Sequence, residues 1–94
     1  MIVGVSTIEI YIPQSTSLKE KRKILNGIKS RVKNKFNVSI SEVGYLDKWQ
    51  RALIGISTVS NSTKMVDSVL SGVLREISSD LRIEIIDYKM EIRV

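Results

Sequence analysis

The sequence predicts an α+β domain, because two kinds of apolar periodicity alternate along its 94 residues. Apolar and polar residues alternate as they do in strands in four segments, and they recur at helical spacing in two others. The order of these segments is β-α-β-β-α-β, which is the order of the ferredoxin-like fold. We therefore expect a single domain over residues 1–94, in which a four-stranded antiparallel sheet carries both helices on one face.

The first strand is expected over residues 2–12, which are rich in β-branched side chains. Val3 and Val5 alternate in one phase and the isoleucines from residue 8 to residue 12 in the other, so the pattern predicts a bulge near Ser6. Pro13 ends the strand, because its nitrogen has no hydrogen to donate to a neighbouring strand.

The first helix is expected to begin at Leu18, because Ser17 and Glu20 stand at the spacing of a capping box. Six apolar residues then fall within about a third of the helical circle and form a face that can cover a sheet. They are Leu18, Ile24, Leu25, Ile28, Val32 and Phe36. Lys21 lies at the edge of this face, so we expect its ammonium group to reach out to solvent.

The second half of the chain predicts a hairpin, a helix and a long strand. Residues 37–46 and 51–60 alternate as two strands, and residues 61–79 have apolar side chains at helical spacing. The last strand is expected over residues 81–94. Its alternation changes phase midway, which predicts a bulge at Ile85 or Ile86.

The chain contains no cysteine and no histidine, and its ten acidic residues are scattered. This composition excludes disulfides, thiolate nucleophiles, imidazole acid–base catalysis and the ordinary zinc and copper sites. We therefore expect a protein without catalytic residues, metal or cofactor. The apolar runs are short, and the N-terminus does not resemble a signal peptide. We accordingly expect a cytoplasmic location and no membrane role.

The basic residues are concentrated in one segment of the chain. Residues 17–37 contain eight Lys or Arg and one acid, a sum of +7, whereas the whole chain has a net charge of +5. The other residues therefore sum to −2. Five of the basic side chains share an arc of about 120° on the first helix. This basic ridge consists of Lys19, Arg22, Lys23, Lys29 and Lys33.

A localised stripe of positive charge is typical of a surface that binds phosphate. Ser15 and Ser17 would add donors at the helix start, where backbone N–H groups also favour an anion. The basic ridge therefore predicts contacts with RNA phosphates. The other interpretations are a solvated helix face, an acidic protein partner and a small anion at the helix start.

The turn between the hairpin strands carries Trp49, the only tryptophan, with Asp47 before it and Arg51 after it. If Trp49 is exposed, it can stack on a base or anchor a partner, with Arg51 beside it as a fork for phosphate or carboxylate. If it folds back, it covers an open end of the core. Trp49 and Arg51 are thus the remaining candidate nucleic-acid-binding residues.

The sheet face without helices also carries apolar side chains. Val43, Tyr45, Leu53 and Val59 stand in the phase opposite to the isoleucines of the same two strands. An exposed apolar face predicts a partner, most simply a second copy in a homo-oligomer such as a dimer.

Four segments, SLKEKRKIL, FNVSISEVG, DKWQRA and ISTVSN, make the chain resemble the YlxP-like family, a bacterial family of unknown function. The resemblance implies a ferredoxin-like fold and a cytoplasmic location. The genes of this family often neighbour those of a translation initiation factor and a ribosome-binding factor, which implies a link to ribosome or RNA metabolism. Together with the basic ridge, it favours a non-catalytic protein that associates with RNA or the ribosome. The other hypothesis is a homo-oligomeric interaction module that uses the helix-free face of the sheet.

Overall fold

The computed structural model describes residues 1–94 and has the predicted order of elements. The strands are β1 (Ile2–Tyr11), β2 (Ser39–Gly44), β3 (Arg51–Ser60) and β4 (Glu84–Arg93). The helices are α1 (Leu18–Lys35) and α2 (Thr63–Ser78). The four strands form one antiparallel sheet in the order β2-β3-β1-β4, so β2 and β4 are its edges. The predicted ferredoxin-like arrangement is confirmed.

Both helices lie on one face of the sheet, where fifteen apolar side chains form the core. The helical contribution to this core includes Leu25, Ile28 and Val32 from α1 and Leu70 from α2. Helix α1 contacts β2 at one edge, whereas α2 covers β1, β3 and β4. Because the helices bury only one sheet face, the other face is open.

Strand β1 has no bulge near Ser6, so this expectation is wrong. Its register with β3 is continuous from Ile2 to Tyr11, and buried residues alternate without interruption. Gly4 and Ser6 occupy the core-facing positions, although neither is apolar. A Cβ atom on Gly4 would lie 2.3 Å from Val66, so α2 packs directly on the backbone there. The apparent change of phase therefore comes from small residues beneath α2.

The bulge predicted at Ile85 or Ile86 is confirmed. Glu9 of β1 faces Asp87 and Ile10 faces Ile85, so Ile86 has no opposite residue. The strand itself is shorter than expected, because Leu81 lies in the preceding turn and is exposed. The hairpin has a further irregularity, since Val43 is skipped in the pairing of β2 with β3.

The start of α1 is capped as predicted, with one difference. The Ser17 hydroxyl accepts a hydrogen bond of 3.1 Å from the Glu20 backbone N–H. The Glu20 carboxylate accepts hydrogen bonds from the backbone N–H and the hydroxyl of Thr16, rather than from the cap residue itself. These hydrogen bonds lower the pKa of Glu20. In neither helix is there a stretch that is both long and apolar enough to cross a membrane.

Candidate nucleic-acid interface

The basic ridge lies along the flank of α1 that points away from α2. Four of its side chains are exposed and Lys29 is half-buried. No carboxylate oxygen lies within 4.0 Å of any of the five basic groups. From Lys19 to Lys33 the helix rises by about 21 Å, so the unpaired charges form an extended row.

The other three basic residues of α1 are all paired with acids. Lys35 lies 2.9 Å from Glu76 of α2. Arg31 donates to Asp80, just after α2, at 2.7 Å. Lys21 makes the third pair, with Glu42. Glu42, Glu76 and Asp80 are therefore paired with the cations outside the ridge, and Glu20, the acidic residue of α1, accepts hydrogen bonds from Thr16.

Lys21 is 1% exposed, so the expectation that its ammonium group reaches solvent is wrong. Its Nζ lies 2.8 Å from Glu42 Oε2 and donates to the backbone oxygens of Tyr45 at 2.8 Å and Arg51 at 3.1 Å. These acceptors stand at the end of β2 and at the start of β3. Lys21 therefore fastens the first turns of α1 to both ends of the hairpin turn.

The hydroxyl groups near the start of α1 are used within the chain. Ser15 is buried and donates to the Ser17 carbonyl oxygen at 3.0 Å, and the Ser17 hydroxyl caps the helix. The Glu20 carboxylate places negative charge at the same turn. The free cations of the ridge, rather than the helix start, are thus the groups available to an anion.

The hairpin turn that carries Trp49 is tied to the connection between β1 and α1. Gln50 donates through its side-chain amide to the carbonyl oxygens of Pro13 at 3.1 Å and Ser15 at 3.3 Å. The backbone carbonyl oxygen of Gln50 accepts a hydrogen bond of 2.7 Å from the backbone N–H of Ile12. The turn therefore lies at the same end of the molecule as the first residues of the ridge.

Trp49 is 56% exposed and does not cover the core. It lines an open cleft of about 420 Å³, together with Tyr11, Asp47, Lys48, Gln50 and Arg51. Tyr11 was not among the candidates from the sequence, because its position in a strand favours sheet packing over stacking on a base. Its place at the end of β1, opposite Arg51 in β3, brings it to this cleft.

Arg51 is already paired in the free chain. Its guanidinium group donates to the Glu9 carboxylate on the neighbouring strand and lies 4.8 Å from the centre of the Tyr45 ring. The hydrogen bond that Arg51 donates to Glu9 raises the pKa of Arg51. Arg51 thus lines the cleft beside Trp49, but its charge is balanced by Glu9, unlike the charges of the ridge.

The helix-free face of the sheet carries exposed apolar side chains on β2 and β3, as the alternation predicts. Val43 is 54% exposed and Val59 is 60% exposed, and Leu53 is half-buried. The outer positions of β4 carry charges instead. The described chain has no group of three or more acidic side chains that could hold a metal ion.

Comparison with known proteins identifies the family. The family described as "Protein of unknown function (DUF503)" matches residues 3–90. The chain is 48% identical over 83 residues to the protein of Bacillus subtilis (strain 168) named "Uncharacterized protein YlxP". That match covers 88% of this chain and 90% of the Bacillus protein. The resemblance stated from the four sequence segments is confirmed.

Two solved structures share the fold at low sequence identity. The designed protein Foldit4 is 15% identical, with a TM-score of 0.57 over 100% of this chain and 98% of its own. A designed protein described as having a ferredoxin fold, LFR1, is 12% identical, with a TM-score of 0.52 over 100% of this chain and 86% of its own. These two similarities concern the fold alone. The match over residues 3–90, with the Bacillus relative, shows that the chain belongs to the DUF503 family.

Proposed function

We propose that this protein is a non-catalytic RNA-binding module that docks on structured RNA, such as ribosomal RNA, through the basic ridge of α1. The observation that carries the proposal is the division of charges on α1. The three basic side chains outside the ridge are paired with acids, and the five within it have none within 4.0 Å. Unpaired, exposed cations in a row can each neutralise a phosphate and release its counterion.

The position of Trp49 supports the same interface. The exposed indole lies on a turn fastened to the connection that precedes α1, so it is near the first residues of the ridge. An exposed aromatic ring next to a basic surface can stack on an unpaired base. The proposed interface thus combines phosphate contacts along the helix with one stacking contact at its start.

Contacts of this kind position an RNA without reading its sequence. Lysine is a flexible point charge, and four of the five ridge residues are lysines. The module would therefore recognise a backbone path rather than a base sequence. The proposal requires a compartment that contains RNA, and we propose the cytoplasm.

The test is direct binding to ribosomal RNA by a charge-reversed ridge variant. In Arg22→Glu with Lys29→Glu, we expect affinity to fall by about a hundredfold or more, because two attractive contacts become repulsive. The matched control is Lys64→Glu with Arg75→Glu, which removes the same charge from α2, where neither residue has a carboxylate within 4.0 Å. Equal loss in both variants would show that net charge alone acts, and it would contradict the proposal.

A second candidate function is a homo-oligomeric interaction module that uses the helix-free sheet face. The exposure of Val43 and Val59 favours it, because an apolar surface is more stable when a partner covers it. Under this hypothesis, Val59→Asp lowers the sedimentation coefficient and the ridge variant does not. If Val59→Asp leaves the sedimentation coefficient unchanged, the face does not mediate self-association.

A further inference from the structure

Strand β4 is a long, uncovered edge of the sheet. It pairs with β1 on one side only, and no other strand lies beyond it. It spans ten residues, Glu84–Arg93, whereas the opposite edge strand, β2, spans six. A strand with free backbone N–H and C=O groups along one side is a template for pairing with another strand.

The charges on β4 alternate in sign along one face. Asp87, Lys89, Glu91 and Arg93 stand opposite Glu9, Thr7, Val5 and Val3 of β1, in that order. Opposite residues of an antiparallel pair share a face of the sheet, so these four charges lie on the helix-free face. Tyr88, Met90 and Ile92 lie between them on the helix-covered face, with Met90 exposed.

We propose that two copies of this chain pair through their β4 edges, antiparallel, with the two-fold axis at Met90. In this register Asp87 of each copy stands opposite Arg93 of the other, and Lys89 stands opposite Glu91. On the other face Tyr88 meets Ile92, and the two Met90 side chains meet each other. Every charge then faces its opposite, and every apolar side chain faces an apolar one.

The two registers with the axis one residue away from Met90 lack this complementarity. With the axis at Lys89, the two Lys89 side chains would meet and Asp87 would face Glu91. With the axis at Glu91, the two Glu91 side chains would meet and Lys89 would face Arg93. Like charges directly opposite each other on a sheet are destabilising. With the axis at Tyr88 or at Ile92, opposite charges also meet, but only Asp87 would face Lys89, or Glu91 would face Arg93. The axis at Met90 pairs all four charged residues, so the sequence DYKMEIR favours it.

The free backbone groups fit the same register. The Tyr88 N–H donates to the Asp87 side chain at 2.9 Å, so it points away from β1. Because backbone groups alternate along a strand, those of Met90 and Ile92 point to the same free edge. Two Met90 residues at the axis can then exchange both of their backbone hydrogen bonds, and a partner strand would replace the local bond made by Asp87.

In the isolated chain, the charged side chains of β4 do not all have a partner of opposite charge. Lys89 has no carboxylate within 4.0 Å, while Arg93 donates to Glu91 of its own strand at 3.0 Å. In the paired edges Lys89 gains the partner's carboxylate, and Arg93 turns to the partner's aspartate. The charge pattern of β4 is complementary to the same pattern on a second, antiparallel β4 strand. The partner of this edge is therefore a second copy of the chain.

Edge pairing does not use the proposed RNA surface. Helix α1 lies over β2, at the opposite edge of the sheet from β4. A dimer formed at β4 would place the two basic ridges at its far ends, with a continuous eight-stranded sheet between them. Self-association and RNA binding can therefore be tested separately, and either can fail without the other.

The test is a charge exchange followed by analytical ultracentrifugation. We expect the wild type to dimerise, and Lys89→Glu or Glu91→Lys alone to raise the dimer dissociation constant about tenfold or more. The double variant Lys89→Glu with Glu91→Lys restores the complementary pairs and should dimerise like the wild type. An equimolar mixture of the two single variants should form heterodimers for the same reason.

A monomeric wild type at the highest soluble concentration would overturn the proposal. Single variants that dimerise like the wild type would overturn it too, as would a double variant no better than the single ones. Because the chain has no cysteine, Met90→Cys adds an independent test of register. Met90→Cys should form a disulfide-linked dimer on mild oxidation, and Tyr88→Cys alone should not. Equal crosslinking at both positions would exclude this register.

Discussion

The Nζ atom of Lys21 lies 2.8 Å from Glu42 Oε2, so one lysine of the most basic helix is buried in an ion pair. The same Nζ donates to two backbone oxygens at the ends of the hairpin turn. A buried ammonium group whose three donors are all used within the chain cannot also bind a ligand. Lys21 therefore stabilises the hairpin, whereas its neighbours Arg22 and Lys23 face solvent.

Lys21→Ala should lower the free energy of unfolding by about 3 kcal/mol, because it leaves a buried carboxylate and two carbonyl oxygens without their donor. Urea denaturation of the wild type and the variant measures this difference. The control is Lys23→Ala, one of the ridge residues, whose effect should stay within about 0.5 kcal/mol. A Lys21 variant as stable as the control would show that the buried contacts contribute little.

Gly4→Ala should lower the free energy of unfolding by about 1–3 kcal/mol, because the core there is already filled. The added methyl group would lie 2.3 Å from Val66 and 2.9 Å from Leu70. Thermal denaturation of the variant checks this prediction. Gly27→Ala is the matched control on α1, since its added Cβ would meet no atom closer than 3.8 Å. That change should be neutral or stabilising, because alanine favours a helix.

Asp80 gives the stability a predictable dependence on pH. Its carboxylate, 5% exposed, accepts from the Arg82 side chain, the Arg82 backbone N–H and Arg31. These hydrogen bonds hold the pKa of Asp80 well below its ordinary value of 3.8, and the bond from the Arg82 side chain has the largest effect. Because the pKa is lower in the folded state, the stabilisation is present above 3.8 and is lost as the pH falls.

Asp80→Asn should therefore lower the free energy of unfolding by about 1–2 kcal/mol near neutral pH, because a neutral amide replaces the charged carboxylate that accepts these hydrogen bonds. The difference from the wild type should shrink steadily below about pH 4. Denaturation at about pH 7, 4 and 2 measures it. A difference that stays constant with pH would contradict the assigned role of Asp80.

Trp49 should report on bound RNA through its fluorescence, because it is the only tryptophan and is exposed. Single-stranded RNA is expected to quench its emission by stacking, and blunt duplex RNA should quench it much less. Trp49→Ala should weaken binding of single strands by about ten- to a hundredfold, the range of one base stacked on an aromatic side chain. Unchanged emission at saturating RNA would exclude Trp49 from the interface.

The fold could be predicted from the sequence because its apolar periodicities are strong. The bulge near Ser6 was wrongly predicted because residues without apolar side chains occupy core-facing positions of β1. Gly4 and Ser6 occupy core-facing positions of β1, and at Gly4 the helix α2 packs directly on the backbone. Alternation of apolar residues cannot show such a site, since the close approach depends on a distant helix.

The candidate site could be predicted only in part, for a similar reason. Helical geometry correctly grouped the ridge residues, because they lie on one element. The partners of Lys21 and Arg51 come from other strands, and their spacing in the sequence gives no sign of the pairs. Glu42 is 21 residues from Lys21, and Glu9 is 42 residues from Arg51. Tertiary contacts therefore decide which cations remain free.

The salt dependence of RNA binding is the sharpest test of whether the basic ridge binds phosphates. If the ridge contacts phosphates, the logarithm of the association constant falls linearly with the logarithm of the salt concentration, by about 0.7–0.9 per phosphate contact. We predict a steep slope for the wild type and for Lys64→Glu with Arg75→Glu. The slope should be shallower by about 1.4–1.8 for Arg22→Glu with Lys29→Glu, which removes two contacts. An identical slope in all three proteins, or no RNA binding by the wild type at low salt, would exclude the basic ridge as the RNA-binding surface.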